Sequence, residues 1–130
     1  MRSEPHWLSP ERVIALDREV VAQTGEPFLL HNAGLLKSAL DRPLNHWHYG
    51  EDDIVTLAAL LLLGIAQNHP FEQGNKRSAL LSALIFLEIN GYRFAVDDHV
   101  FLAELIRGAV AKEVSETDFI SIIRTFIVPK

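Results

Sequence analysis

The turn between two apolar segments of the chain reads His69-Pro70-Phe71-Glu72-Gln73-Gly74-Asn75-Lys76-Arg77. Before it, a nearly unbroken apolar run over 54–66 predicts a buried helix from about residue 52 to residue 68. After it, apolar residues at helical spacing predict a second helix over 75–90, with Asn90-Gly91 as its stop signal. The nine residues are therefore predicted to form a loop between two helices of the core.

Helix start and stop signals recur on the N-terminal side of this loop. Ser9-Pro10 predicts a capped helix start, and Gly25 predicts its end. A short second helix is expected over 33–40 and should end before Pro43, because proline disrupts a helix interior. The segment 43–50 is aromatic and contains proline and glycine, which predicts a loop or short hairpin.

The C-terminal part adds two more helices. Asp97-Asp98 predicts the cap of a helix that reaches about residue 111, and Ser115-Glu116-Thr117-Asp118 resembles a capping box before the last helix. The chain shows no repeat, low-complexity segment or linker. Residues 1–130 are therefore predicted to form one compact all-α helical bundle, with 1–8 as a loose N-terminal segment.

Composition excludes several classes of protein. The chain has 130 residues, 48% of them hydrophobic, and a formal net charge of −5, which argues against a protein that coats nucleic acid. It has no cysteine, which excludes disulfides and thiolate sites. Its longest apolar run is about 13 residues, short of the roughly 20 that span a bilayer. We expect a cytoplasmic protein without a membrane or nucleic-acid partner.

The nine-residue loop has the features of a phosphate site. The first turn of a helix exposes unpaired backbone N–H groups and the positive end of the helix dipole, so it attracts anions. Gly74 lets the backbone approach a ligand closely, and Lys76 and Arg77 add positive charge. His69 can accept a proton near neutral pH. The loop predicts a nucleotide or phosphoester site with a general base, although a histidine on its own is more often structural.

The loop also resembles the signature of the Fic/Doc superfamily, His-x-Phe-x-Asp/Glu-Gly/Ala-Asn-Gly/Lys-Arg. His69, Phe71 and the run 74–77 fall at the expected places, and the lysine at position 76 is typical of death-on-curing (Doc) toxins. The segments 34–43 and 84–92 resemble the family as well, so that the similarity covers roughly residues 8 to 128. The resemblance implies the compact Fic fold.

The resemblance implies a role for each loop residue. His69 would deprotonate a hydroxyl group of a target protein, and Phe71 would anchor the loop in the core. Phosphate binding would fall to four residues: Gly74, Asn75, Lys76 and Arg77. Most Fic enzymes transfer AMP from ATP, whereas Doc-type enzymes transfer the terminal phosphate to a threonine of elongation factor Tu.

Two positions depart from the family pattern. The family has an acidic ligand for Mg²⁺ four residues after the histidine, but this chain has Gln73 there and its carboxylate, Glu72, one residue earlier. Magnesium prefers carboxylate oxygens, so Gln73 could bind it weakly, Glu72 could replace it, or Lys76 and Arg77 could neutralise the phosphates unaided. Leu80 stands where AMP-transferases carry a second arginine, which favours phosphate transfer.

The aromatic segment offers a second candidate surface. His46 and His48 flank Trp47, yet no third metal ligand lies near them in sequence, so an exposed aromatic loop is favoured over a metal site. The resemblance implies that this segment is the flap that docks the target protein, with contacts from His46, Trp47, His48 and Tyr49.

The functional hypothesis is a Doc-like toxin that transfers phosphate from ATP to a target protein such as elongation factor Tu and arrests translation. The alternatives are an AMP-transferase and a catalytically weakened member that acts by binding. No glutamate is followed by glycine or asparagine, so the inhibitory helix of many Fic proteins is not expected. The resemblance instead implies a separate antitoxin similar to Phd.

Overall fold

The computed structural model describes residues 2–95 and 99–130, and helices dominate this part of the chain. In chain order its elements are α1 (Pro10–Thr24), α2 (Ala33–His48), α3 (Ile54–Asn68), α4 (Asn75–Ile89), β1 (Tyr92–Phe94), α5 (His99–Val110), α6 (Glu116–Arg124) and β2 (Ile127–Pro129). The strands β1 and β2 pair antiparallel, with Arg93 opposite Val128. The prediction of an all-α bundle is confirmed, while the small sheet was not foreseen. None of the described helices is long and apolar enough to cross a membrane.

Several helix ends lie where the sequence placed them. The Ser9 hydroxyl accepts a hydrogen bond from the Arg12 amide at 3.1 Å, and Gly25 ends α1 with a φ of 72°. Ser115 caps α6 in the same way, through the Asp118 amide at 3.1 Å. The predicted cap at Asp97-Asp98 lies outside the described residues. These ends are local, because a cap needs only its own turn of backbone.

Helix α3 is the centre of the fold, as its composition predicted. Every residue from Leu57 to Ala66 is buried. It packs between α2 on one side and α4 on the other, and α1 contacts α4 in turn. Burial of each leucine contributes about 2 kcal/mol, so this helix supplies much of the hydrophobic stabilisation. The nine-residue loop therefore joins the two helices at the centre of the core.

The prediction that α2 ends before Pro43 is wrong. The helix continues to His48, with Pro43 buried inside it. Proline lacks the N–H that would bond to the Ala39 carbonyl, four residues earlier. Packing with α3 outweighs that loss: Gly64 lies so close that a Cβ there would be 3.1 Å from the Ala39 oxygen. Leu36 completes the buried stripe, and the predicted loop at 43–50 is therefore mostly helix.

The N-terminal segment is not loose over the residues that the structure describes. The Trp7 ring stacks on Phe86 at 5.7 Å and meets Trp47 edge-on at 6.4 Å. The Asn90 side chain bonds to both backbone groups of His6, at 2.8 and 3.0 Å. The large apolar area of the Trp7 ring explains why this segment packs on the helices, because burying that ring against Phe86 and Trp47 removes apolar surface from water.

Replacing Trp7 by alanine should lower the free energy of unfolding by about 2 kcal/mol, because the half-buried ring loses its contacts with Phe86 and Trp47. Urea denaturation followed by circular dichroism measures the change. His6→Ala is the matched control, since His6 bonds to Asn90 through its backbone and should lose less than about 0.5 kcal/mol. Equal losses in the two variants would show that the contacts of the Trp7 ring contribute nothing to stability.

Candidate phosphate-transfer site

Asn75 and Phe71 hold the nine-residue loop closed. The Asn75 side chain accepts a hydrogen bond from the Phe71 amide at 3.0 Å and donates one to the Phe71 carbonyl at 2.8 Å. The Phe71 side chain is buried and lies 6.1 Å from the Phe28 ring. The anchor role of Phe71 therefore has a clear basis. Asn75 was expected to hold phosphate, but its side-chain oxygen and nitrogen both bond to the backbone of the loop.

His69 stands exposed at the point where α3 ends. It adopts a left-handed conformation with φ 50° and ψ 57°, and its amide bonds to the Ile65 carbonyl at 3.3 Å. A positive φ is uncommon for a residue other than glycine and costs on the order of 1 kcal/mol. The turn directs the chain away from α3 at once, so that the histidine lies beside the start of α4.

A shallow depression of about 300 Å³ joins the histidine to that helix start. Its lining consists of His69, Glu72, Gln73, Gly74, Asn75, Lys76 and Arg77. The structure thus brings together the catalytic, phosphate-binding and metal candidates of the sequence. Gly74 occupies the N-cap position of α4 without a side-chain cap, which leaves backbone N–H groups of the first turn for a ligand.

Beneath Gly74 lies Asp17, a residue that the sequence did not single out. Its side chain is fully buried and accepts a hydrogen bond from the Ser78 hydroxyl at 2.7 Å. A Cβ on Gly74 would come within 2.7 Å of Asp17 Oδ1 and 3.2 Å of Val20 Cγ1. Burial raises the pKa of the Asp17 carboxyl, while the Ser78 hydrogen bond and the charge of Arg77 oppose that rise. Gly74 is therefore required both for its φ of 81° and for the close approach to α1.

Arg77 already has a carboxylate partner. Its Nη2 lies 2.5 Å from Oε1 of Glu26, which also accepts a hydrogen bond from the Thr24 hydroxyl. The hydrogen bonds from Thr24 and then Arg77 lower the pKa of Glu26, so that it stays ionised. One contact at Nη2 leaves other guanidinium donors for a phosphate. Glu26 thus holds the arginine beside the depression while competing for its charge.

Glu72 and Gln73 are the residues that could hold a cation with a bound phosphate. The Glu72 carboxylate lies 3.6 Å from His31 Nδ1, so it faces the segment that follows α1. Within 2–95 and 99–130, no three acidic or histidine side chains form a group that could bind a metal. Magnesium commonly uses one or two carboxylates together with substrate phosphates, and one carboxylate beside an amide oxygen is compatible with that mode.

The predicted flap lies far from the loop. His46, Trp47 and His48 occupy the last turn of α2, and Tyr49 follows it. The opposite end of α2 is the end at the loop, where the Asn32 amide bonds to the Pro70 carbonyl at 3.0 Å. At 1.5 Å per residue the two ends are about 20 Å apart. The structure therefore does not place 46–49 beside the loop, and this geometry gives no support to their predicted role as a docking flap.

The extended segment 28–32 takes the place that the flap was expected to have. Leu30 forms an isolated antiparallel bridge with Phe71. The His31 amide donates to the Pro70 carbonyl at 2.8 Å, and the Glu72 amide donates to the Leu29 carbonyl at 3.0 Å. The sequence signal for this segment was the run of apolar residues after the Gly25-Glu26-Pro27 break. The sequence also held a signal for the burial of Asp17, because that residue falls on the apolar stripe of α1.

The class of protein is defined by its fold and its loop. The domain is mostly helical, and its buried central helix is followed by a loop that carries a histidine and leads into a helix start of the kind that attracts phosphate. The chain belongs to the Fic/DOC family, whose model matches residues 7–87. It is 38% identical over 114 residues to a protein named Toxin Doc from Mycolicibacterium smegmatis, covering 82% of this chain and 87% of that relative. It is 35% identical over 109 residues to Protein kinase doc of Escherichia phage P1, covering 83% and 85%. The family resemblance seen in the sequence is confirmed.

Replacing Gly74 by alanine should destabilise the protein by about 2 to 3 kcal/mol, the sum of a positive-φ cost and a clash with Asp17. Gly25→Ala is the control, because its φ of 72° is similar and a Cβ there would have no described neighbour within 4 Å. It should cost about 1 kcal/mol. Thermal unfolding of both variants compares them; equal losses would mean that the contact with Asp17 carries no cost.

Proposed function

We propose that this protein transfers the terminal phosphate of ATP to a hydroxyl group of a target protein. The observation that carries the proposal is the placement of His69 at the edge of a depression that also holds the start of α4, Lys76 and Arg77. A base beside an anion site is what transfer from a nucleotide to a hydroxyl requires. The name Protein kinase doc, given to one relative, supports phosphate rather than AMP as the transferred group.

In the proposed reaction, His69 accepts the proton of the target hydroxyl as its oxygen attacks the γ-phosphorus. A new oxygen–phosphorus bond forms, and the bond between the γ-phosphorus and the bridging oxygen breaks, so that ADP leaves with the electron pair. Backbone N–H groups after Gly74, together with Lys76 and Arg77, stabilise the charge on the phosphate oxygens. His69 is well placed for the proton because it is exposed while its backbone is fixed.

Magnesium would enter with the nucleotide and neutralise phosphate charge. Glu72 is the proposed protein ligand, because it supplies the carboxylate that lines the depression, and Gln73 adds an amide oxygen. Binding in this way would require the Glu72 side chain to turn away from His31. The family role of the acidic residue would then pass to its neighbour in this chain.

The target protein is proposed to dock along the segment 28–32. Leu29 and His31 direct backbone groups to the loop, and in an extended chain the groups of Phe28 and Leu30 point to the opposite edge. A target strand could pair with that edge, which would bring its hydroxyl towards His69. Leu29 is 53% exposed beside the loop, so its side chain offers an apolar contact for a partner.

The biological role follows from the same proposal. A Doc-type toxin would act on a component of translation, and elongation factor Tu is the proposed target. The relative named Toxin Doc suggests a partner antitoxin, which we propose to be a separate small protein similar to Phd. AMP transfer is the alternative activity, and the labelling experiment below distinguishes the two.

Wild-type protein incubated with a translation extract should transfer label from γ-labelled ATP, and His69→Ala should lower this transfer by at least about 100-fold, since it removes the base. Nucleotide binding by the variant should persist, because the helix start is unchanged. Gel autoradiography and calorimetry measure the two properties.

His46→Ala is the matched control, an exposed histidine on the distant end of α2 whose loss should leave labelling unchanged. Label appearing from α-labelled ATP instead would establish AMP transfer. Equal transfer by wild type and His69→Ala would exclude His69 as the base.

Leu29→Ser should reduce labelling of the target about tenfold, because an exposed apolar contact is lost, while ATP affinity and stability stay within error. Ile89→Ser is the control. Ile89 is likewise an exposed apolar residue, at 42%, but it lies at the end of α4 away from the loop. Comparison of the KM for the target with the KM for ATP measures the effect. A similar loss in both variants would argue against docking on this segment.

A further inference from the structure

Asp17 is a buried carboxylate that the proposed reaction does not use. Its side chain has no exposed surface, and its Oδ2 atom has no hydrogen-bond partner among the described residues. Burial of a charged oxygen without a partner is costly, so its position requires an explanation. Its other oxygen bonds to Ser78, in the first turns of α4. The carboxylate thus lies directly under the helix start that is proposed to bind phosphate.

Geometry excludes a direct role for Asp17 in chemistry or metal binding. The residue does not line the depression, and the Gly74 backbone stands between them, close enough for a Cβ to meet Asp17 Oδ1 at 2.7 Å. Neither a target hydroxyl nor a phosphate oxygen can reach it without displacing the loop. Asp17 can act on a ligand only through its charge or through the position of the turn.

Its charge opposes the ligand. A phosphate on the exposed N–H groups after Gly74 would lie within roughly 10 Å of the carboxylate, inside the distance at which charges interact at ordinary salt. Burial raises the pKa of the Asp17 carboxyl, whereas the Ser78 hydroxyl and the charge of Arg77 favour its ionised form, and Glu26 adds a second negative charge nearby. Ligand phosphates and the Asp17 carboxylate thus compete for the same helix dipole and the same arginine.

We infer that Asp17 is a specificity-determining residue that weakens binding in proportion to the negative charge of the nucleotide. It holds the turn in place through Ser78 and at the same time limits the affinity for polyphosphates, which favours the release of ADP after transfer. This inference rests on the proposed nucleotide site. It concerns how strongly that site binds, not which bond is broken.

Calorimetric titration of the full chain with ATP, ADP and AMP, at about pH 8 where carboxyl groups are ionised, tests the inference. Asp17→Asn keeps the shape and can still accept the Ser78 hydrogen bond, but it removes the charge. It should bind ATP about threefold to tenfold more tightly than wild type, with a smaller gain for ADP and the smallest for AMP. A purely structural role would not produce an order that follows phosphate charge.

Glu19→Gln is the control for net charge, because Glu19 is an exposed acid on the same helix and its loss should change affinity less than about twofold. Asp17→Ala serves as a second neutral variant if the first fails to fold, and its ratio of ATP to AMP affinity should rise likewise. If the neutral variant binds ATP, ADP and AMP as tightly as wild type does, or binds all three more tightly by the same factor, the inference about Asp17 is overturned while the proposed nucleotide site stands. No binding by any form would overturn it together with the proposed nucleotide site.

Discussion

The pair of hydrogen bonds between the Asn75 side chain and the Phe71 backbone is the interaction on which the site depends. The buried backbone groups of Phe71 need hydrogen-bond partners, and the Asn75 side chain offers a donor and an acceptor at the required distance. The buried Phe71 ring fixes the other side of the loop. Together they hold the end of α3 and the start of α4 in one geometry, so that His69 and the helix start keep a constant relation.

The electrostatics of the site balance attraction against restraint. Lys76 and Arg77 and the dipole of α4 attract an anion, while Glu26 and Asp17 approach the same region from α1 and the residues after it. A chain with a net charge of −5 would thus need such a local patch to bind phosphate. Negative charges near the site would lower its affinity for both ATP and ADP. A lower affinity would suit an enzyme that must release a charged product.

The sequence predicted those features that are local. Helix caps at Ser9 and Ser115 depend on a single turn, and the buried α3 follows from composition. The errors arose where distant packing decided the outcome: Gly64 of α3 stabilises α2 across Pro43, and the Trp7 ring docks on Phe86. The candidate site residues lie together on the loop, as their spacing predicted. Their partners were not foreseeable, because Glu26 and Asp17 meet Arg77 and Ser78 only through the packing of α1 on α4.

The left-handed backbone of His69 has an evolutionary consequence. Glycine or asparagine would occupy that conformation with less strain, so a histidine at this position costs about 1 kcal/mol relative to either. If His69 is the proposed base, selection for stability and selection for activity would act in opposite directions at this position. A lineage of this fold that ceased to need the reaction would be expected to lose the histidine early, and to become more stable in doing so.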